Sequence, residues 1–525
     1  MKTFLFILIK SIVLSILLSN NTINKHNLTE IENIILEISK PDYDMVVHIS
    51  KHLSKKFYLP HSPDFAAKYA KSHYPVIKKA LIKVSPFLSD SEFDSYIIPL
   101  LHDKDQTVVL ETIIAVGNRR NPFYETALYN VYKQYPENES VLLCLISAYS
   151  NFKSEKASDF ISSFYNPDNV TTTTLVLGSL GKTRTEHSAK ILVDLFTDAS
   201  DWEKIGIIQT MSYFRENKTI ENFLINILAN KDDIFYPHAI QTAGELEFVN
   251  FYKQIQNSLK SNNQIIRNSA IFATSFFCKL NDVPILLKYI TNNFSDNTDQ
   301  LIYTSIERIC SIYTFDEILR ELSSSDHPAI VAAQLGNIGD ESSVEVLTEL
   351  LNNDDPINRI AAINSLKTIG GEKAVANLIG RLPESSPLEF IYLAKMLKQM
   401  IDESTISADT VLKALDKPFN HEKYVLFKSL SGDEDVLFEY YNLLRSESTR
   451  FRLAAITFAG SFCKYNLITD ELKYILQTGS IPERYYCVSA LLEMSKEKKD
   501  IARFLKKYLA QEKNPVIKKL IENLS

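Results

Sequence analysis

Few residues in this sequence stand at spacings that chemistry uses, and each such group lacks a necessary member. Gly181-Lys182-Thr183 ends as a phosphate-binding loop ends, with a lysine for the phosphates and a hydroxyl for magnesium. That loop also needs a glycine at 176 and a strand before it; the chain has Val176 and no strand pattern there. His48 and His52 are four apart, so a helix would turn both imidazoles to one face, as a metal site requires. No third ligand accompanies them, and the lysine-rich segment around them repels a cation. Asp354-Asp355 and Asp433-Glu434-Asp435 lack the ligand order of a calcium loop. Chemistry on a flipped base would need a basic groove, an acid and stacking aromatics. The single tryptophan, Trp202, sits instead beside Asp201 in acidic surroundings. No GxSxG, HExxH or dinucleotide fingerprint occurs. The expectation is that no residue has a catalytic, cofactor-binding or metal-binding role.

The five cysteines, at 144, 278, 310, 463 and 487, form no CxxC and no His/Cys cluster, which argues against a structural zinc site. An odd number leaves at least one thiol free.

Charge is distributed unevenly. The total is −7. Residues 45–86 carry Lys51, Lys55, Lys56, Lys68, Lys71, Lys78, Lys79 and Lys83 against Asp64 alone, a balance of +7. Residues 496–525 carry nine basic and four acidic residues, +5, so the rest of the chain sums to −19. The eight lysines fit a contact with an acidic partner, a lipid headgroup or a cell-wall polymer. They fit better a solvated cap whose lysines lie along the surface. An acidic middle disfavours nucleic acid as a partner.

The elements carrying these residues follow from composition. With 13 glycines and 18 prolines in 525 residues, turn chemistry is too scarce for a large β protein, and the chain is too long for one compact core. An all-helical, extendable architecture is expected. Leu335-Gly-Asn-Ile-Gly339, followed by Val344, Leu347 and Leu351, recurs 31 residues later as Leu366-Lys-Thr-Ile-Gly370, Val375, Leu378 and Leu382. Arg267-Asn-Ser-Ala-Ile271, Arg359-Ile-Ala-Ala-Ile363 and Arg452-Leu-Ala-Ala-Ile456 repeat at separations of 92 and 93, close to three such units. Weaker copies recur every 30–33 residues from about residue 87 onward.

Each unit reads as two helices. The first carries small residues such as Ala361 and Ala362, which permit a close neighbour; the second carries one apolar face, as in Val344, Leu347 and Leu351. Glycine, which tolerates left-handed backbone, is expected to close the first helix, and ten of the thirteen glycines lie in or beside these reversals. The acidic pairs sit where a helix begins, so capping is their expected task. Cys278, Cys310 and Cys463 share the reversal phase. Equivalent positions lie about 8–10 Å apart, beyond the roughly 7 Å a disulfide spans, so they read as small buried apolar residues. A single pair cannot cover both of its faces, and stacking into a solenoid follows.

The Arg-x-Ala-Ala core with its Leu-x-x-Ile-Gly reversal and leucine-rich second helix resembles HEAT repeats, specifically the phycobilisome-lyase type. The resemblance is clear over 327–382 and 450–463, and most other units lack the glycine pair. It implies an α-solenoid, a HEAT/armadillo-like superhelix of about thirteen helix pairs, and by analogy a binding surface; it brings no catalytic residues.

Residues 1–18 begin with Lys2 and run apolar before the polar Ser19-Asn20-Asn21-Thr22, the form of a signal peptide or N-terminal anchor over 1–19. Lys10 interrupts the run, and an ordinary buried first helix is the alternative. The expected organisation is this segment, a basic helical cap over 23–86, and a repeat solenoid over 87–525. The expected function is a non-catalytic scaffold or adaptor, secreted or in the cell envelope. It would hold a protein partner on a concave face lined by the second helices, with membrane or cell-wall contact through the cap. The alternatives are an enzyme built on the solenoid, of lyase or DNA-glycosylase type, a nucleic-acid-binding solenoid, and a cytoplasmic location.

Overall fold

The computed structural model describes residues 42–57, 63–290, 297–322, 327–338, 341–415 and 420–522. The leader-like segment at 1–19 lies outside the described residues. Among the described residues there are helices and turns and no strand.

The helices in chain order are α1 Asp42–Phe57, α2 Pro63–Ala70, α3 Pro75–Lys83, α4 Asp90–Tyr96, α5 Gln106–Asn118, α6 Glu125–Gln134, α7 Glu139–Tyr149 and α8 Glu155–Ser162. They continue as α9 Val170–Thr183, α10 Glu186–Asp198, α11 Asp201–Thr210, α12 Lys218–Leu228, α13 Tyr236–Glu245, α14 Tyr252–Ser258, α15 Gln264–Ser275 and α16 Val283–Leu287. Next come α17 Thr298–Cys310, α18 Phe315–Leu322, α19 Pro328–Ile338, α20 Glu341–Leu350, α21 Pro356–Ile369, α22 Gly371–Arg381, α23 Pro387–Asp402 and α24 Ala408–Leu415. The last are α25 His421–Ser429, α26 Leu437–Leu444, α27 Thr449–Phe458, α28 Asn466–Thr478, α29 Ile481–Ser495, α30 Lys499–Tyr508 and α31 Pro515–Glu522. From α5/α6 to α29/α30 these are thirteen pairs, the all-α solenoid that the repeat implies.

The chain forms two compact units, Met1–Ala157 and Ser158–Ser525. In the first, α1 packs on α3, α3 on α5 and α5 on α7, while α2 packs on α4. The described helices of the basic segment therefore stack first helix on first helix, as the repeats after them do. In the second unit the same alternation runs through α11, α13, α15 and α17, and again from α27 to α29 and α31.

First and second helices differ in how they are buried. α21 buries Ile357, Ile360, Ala361, Ala362, Ile363 and Leu366 around its circumference, whereas α22 buries only Ala374, Val375 and Leu378. α29 and α30 differ in the same way. A helix enclosed by neighbours on several sides loses its polar face; one packed on a single side keeps it.

The glycines work differently from expectation. Among the described residues, Gly370, Gly371 and Gly432 are the glycines at positive φ; the left-handed residues that close first helices are Arg120, Arg184, Glu216, Glu247, Cys278 and Ser404. Gly117, Gly244 and Gly336 are helical, and each meets the next first helix at a point with no room for a Cβ. A Cβ on Gly244 would lie 2.5 Å from Ala273 Cα, one on Gly117 2.6 Å from Ala148 Cα, and one on Gly336 2.6 Å from Ser365 Cβ. Glycine thus sets the distance between stacked helices, and larger residues take the left-handed reversals at about 1–2 kcal/mol each.

The recurrent arginine is explained by its contacts. Arg267, Arg359 and Arg452 each stand four residues after the helix cap and donate to a carbonyl six residues back, at Ser261, Asn353 and Ser446. Arg359 also pairs with Glu389, and Arg452 with Glu483 at 2.7 Å, each glutamate lying in the next first helix but one turn inside its cap. The arginine therefore ties a turn to a neighbouring repeat. Asp355 caps α21 by accepting from Ile357 N at 2.8 Å, and Asp433 accepts from Asp435 N at 2.9 Å, the task expected of the acidic clusters.

Candidate interaction surfaces

The inner face of the Ser158–Ser525 unit is built by its first helices. α17 packs on α21 and α23 on α27, each passing over an intervening first helix. Residues far apart in sequence meet there. Ser386 Oγ donates to Glu307 Oε1 at 2.7 Å, and Tyr486 Oη donates to the Ser311 carbonyl at 2.7 Å. The expected concave face lined by second helices is therefore corrected. The small, all-round apolar first helices tolerate neighbours on every side and turn inward, while the one-sided second helices stay outside.

A buried polar network closes this inner face. The left-handed φ of 56° at Glu247 carries its carboxylate past the end of α13. Arg215, from the reversal one repeat earlier, donates to Glu247 at 2.6 Å. Arg484 occupies the recurrent arginine position in α29 and reaches both oxygens of Glu247 at 3.3 and 3.0 Å. It also donates to Glu512 at 3.0 and 3.3 Å and to the Gly479 carbonyl at 3.0 Å. Glu512 accepts further from Tyr508 Oη at 2.8 Å and from the backbone of Lys513 and Asn514, both at 2.9 Å. The Arg484 and Glu512 side chains are 7% and 2% exposed, so this pair has left water almost completely.

Burial pushes the Glu247 carboxyl up to about 7, against the downward pull of Arg215. Lys513 pairs with Glu216 at 2.8 Å beside the network. A cavity of about 600 Å³ adjoins these groups, lined also by Lys279, Val249 and Phe277. Each charge inside it has a partner of opposite sign or, for Lys279, the Tyr252 ring at 3.2 Å. The arrangement is suited to holding two parts of one chain together.

The eight lysines differ in their surroundings. Lys68 and Lys71 are exposed. Lys78 is drawn onto Asp103 at 2.6 Å, and Lys83 onto Glu111 at 3.0 Å. Lys51 and Lys79 are half-buried; Lys55 and Lys56 lie in α1, with side chains outside the described residues.

The other sequence candidates separate too. Gly181-Lys182-Thr183 is the last turn of α9; Thr183 Oγ1 donates to the Leu180 carbonyl, and Gly181 faces Thr210, so no phosphate loop exists there. His48 is exposed, and the side chain of His52 lies outside the described residues. No group of three or more His, Cys, Asp or Glu side chains able to hold a metal ion occurs among the described residues. Cys278 and Cys310 are buried free thiols, and burial raises both pKa values far above the ordinary range. Cys463 is only half-buried, with its Sγ 2.8 Å from Glu497 Oε2, where it was expected to be covered. Trp202 is exposed near the start of α11. Sequence reasoning missed Glu247, Arg484 and Glu512. Only Arg484 had a signal, its place in the recurrent arginine phase.

Comparison with known proteins agrees with the repeat. Residues 315–405 match the family of HEAT repeats. No curated protein sequence matches the chain. Among solved structures, yeast importin-beta is 12% identical with a TM-score of 0.33, the alignment covering 91% of this chain and 73% of that one. Human deoxyhypusine hydroxylase in complex with glycerol is 14% identical at a TM-score of 0.22, covering 66% and 97%. A pentatricopeptide repeat protein from maize is 13% identical at 0.29, covering 95% and 77%. Residues 315–405 are thus a HEAT-repeat region, a type of repeat generally used for protein binding, in a chain whose described residues form helices and no strand. No helix among the described residues is long and apolar enough to cross a membrane.

Proposed function

We propose that this protein is a non-catalytic scaffold that binds a protein partner, acting in the cell envelope or after secretion. The observation that carries the reading is the surface of the stack: large apolar side chains such as Phe123, Ile234, Val249 and Ile265 stand in solvent although the inner face is filled by the chain itself. The acidic middle of the chain supports a protein partner over nucleic acid. The phycobilisome-lyase likeness belongs to the repeat and suggests a relation of architecture, without a bilin or other cofactor. Exposed Lys68 and Lys71 support a smaller anionic contact beside the main one.

The test is crosslinked affinity purification of the intact chain from its native cells, with and without residues 45–86. A protein recovered in stoichiometric amount supports the scaffold. A chain that retains none, crosslinked or not, contradicts it. Sequencing the N-terminus of the mature protein tests the compartment: loss of about the first 19 residues is expected, and an intact Met1 in a soluble cytoplasmic fraction contradicts it.

A further inference from the structure

Four consecutive first helices of the Ser158–Ser525 unit repeat one surface feature. At the starts of α9, α11 and α15 the capping side chains are Asn169, Ser200 and Asn263; α13 has no side-chain cap, and Asp233 accepts from Phe235 N in the turn just before it. Within two residues of each of these polar residues stands a large apolar side chain, Val170, Trp202, Ile234 in the turn before α13, and Ile265, spaced by 32, 32 and 31. They are 61%, 42%, 65% and 66% exposed. Since α11, α13 and α15 stack side by side and α9 stacks on α11, their N-termini form one edge and the four side chains form a row along it.

The same place in later repeats behaves differently. Ile357, Leu388 and Ile481 also follow their caps within two residues, and all three are buried. The first helices α25 and α27 carry polar residues at this place, His421-Glu422 and Thr449-Arg450, so the exposed apolar row runs from Val170 to Ile265.

The covering partner can be characterised chemically. Helices in contact lie about 8–10 Å apart, which puts the four rungs at roughly that interval. An extended polyproline-type segment advances about 3.1 Å per residue with three residues per turn, so every third side chain points the same way at about 9 Å. About ten residues reach all four rungs. On the turns 163–170, 197–202, 229–234 and 259–265 the charged residues are Asp168, Asp198, Asp201, Asp232 and Asp233 against Lys231 and Lys260.

Resting on the scaffold reading, we infer that this edge docks an extended segment of a partner protein with an apolar side chain at every third position and lysine or arginine between. Apolar side chains shelter the rungs, and the basic residues meet the aspartates.

Trp202, the one tryptophan, is a built-in reporter on the second rung. The full-length protein is titrated with a synthetic peptide of about ten residues, with leucine at every third position and lysines and prolines between. Expected are a blue shift of Trp202 emission, protection from acrylamide quenching, and weaker binding in high salt. Ile234→Ser with Ile265→Ser weakens binding tenfold or more. Val346→Ser, an exposed apolar residue on α20, leaves it unchanged. Circular dichroism confirms that each variant is folded. Unchanged Trp202 emission, equal affinity for a peptide of permuted order, or indifference to the double substitution overturns the inference. A native partner still recovered in stoichiometric amount by the double variant also overturns it while leaving the scaffold intact; no partner recovered by the wild type tells against the scaffold.

Discussion

Arg484 serves two tasks at one atom group. Its counterparts Arg359 and Arg452 each bind one glutamate of a neighbouring repeat, but Arg484 holds Glu512 and also Glu247, far earlier in the chain. Such a pair returns little net stability once dehydration is counted, yet it is costly to break, because the partner left behind stays buried and unpaired. Arg484→Ala is expected to cost about 3–5 kcal/mol in urea unfolding, whereas Lys513→Ala, at an exposed pair, costs less than about 1 kcal/mol. Equal effects would show that Arg484 is not the closing residue. Glu247 adds a pH dependence. Its folded pKa is raised from 4.5 to about 7, so the folded chain keeps a proton that the unfolded chain releases. The stabilisation is fully present below about 4.5 and is lost as pH rises through about 7. Wild-type stability relative to Glu247→Gln should fall across that window, and a flat difference would contradict the assignment.

At the scale of the element, the spacing between first helices is set by residues without side chains. Gly244→Ala puts a methyl into the Ala273 backbone, which cannot yield as a flexible side chain can, so a loss of about 1–3 kcal/mol is expected in thermal unfolding. Gly380 is also helical but faces open space, and Gly380→Ala should stabilise by up to about 1 kcal/mol. The opposite ordering would mean that the helices are not in contact at Gly244. These elements were largely legible in the sequence. The 31-residue recurrence, the small residues of α21 and the acidic caps gave the helix pairs and their order. The reason for the glycines was not legible, because a glycine needed for close approach and one needed for positive φ look alike in a sequence. The ladder was half visible: the 32-residue spacing of Val170, Trp202 and Ile234 is in the chain, but the exposure that gives it meaning depends on what covers each repeat.

Across the Ser158–Ser525 unit the decisive feature is that the solenoid returns on itself. No local pattern reports this. Curvature accumulates from small rotations between repeats, and the residues that finally meet are brought together by that sum. Glu247 and Arg484 therefore carry no mutual signal, and a reading from repeats alone expects an open concave face. The filled inner face moves the available binding surface to the outer edge and helices, which is where the exposed apolar row lies. The account thus depends on the return of the C-terminal repeats to the middle ones, and a distance can test it. Spin labels at Val249 and Gln511, both exposed beside the closing network, would be measured in a background with Cys144 and Cys463 replaced by serine. A separation of about 20 Å or less is expected across a contact of this kind, whereas eight repeats in an open row at 8–10 Å each would hold the labels roughly 65–80 Å apart. A short, narrow distribution is the predicted result; a distribution centred beyond about 40 Å would contradict the closed inner face and the placement of the binding surface that follows from it.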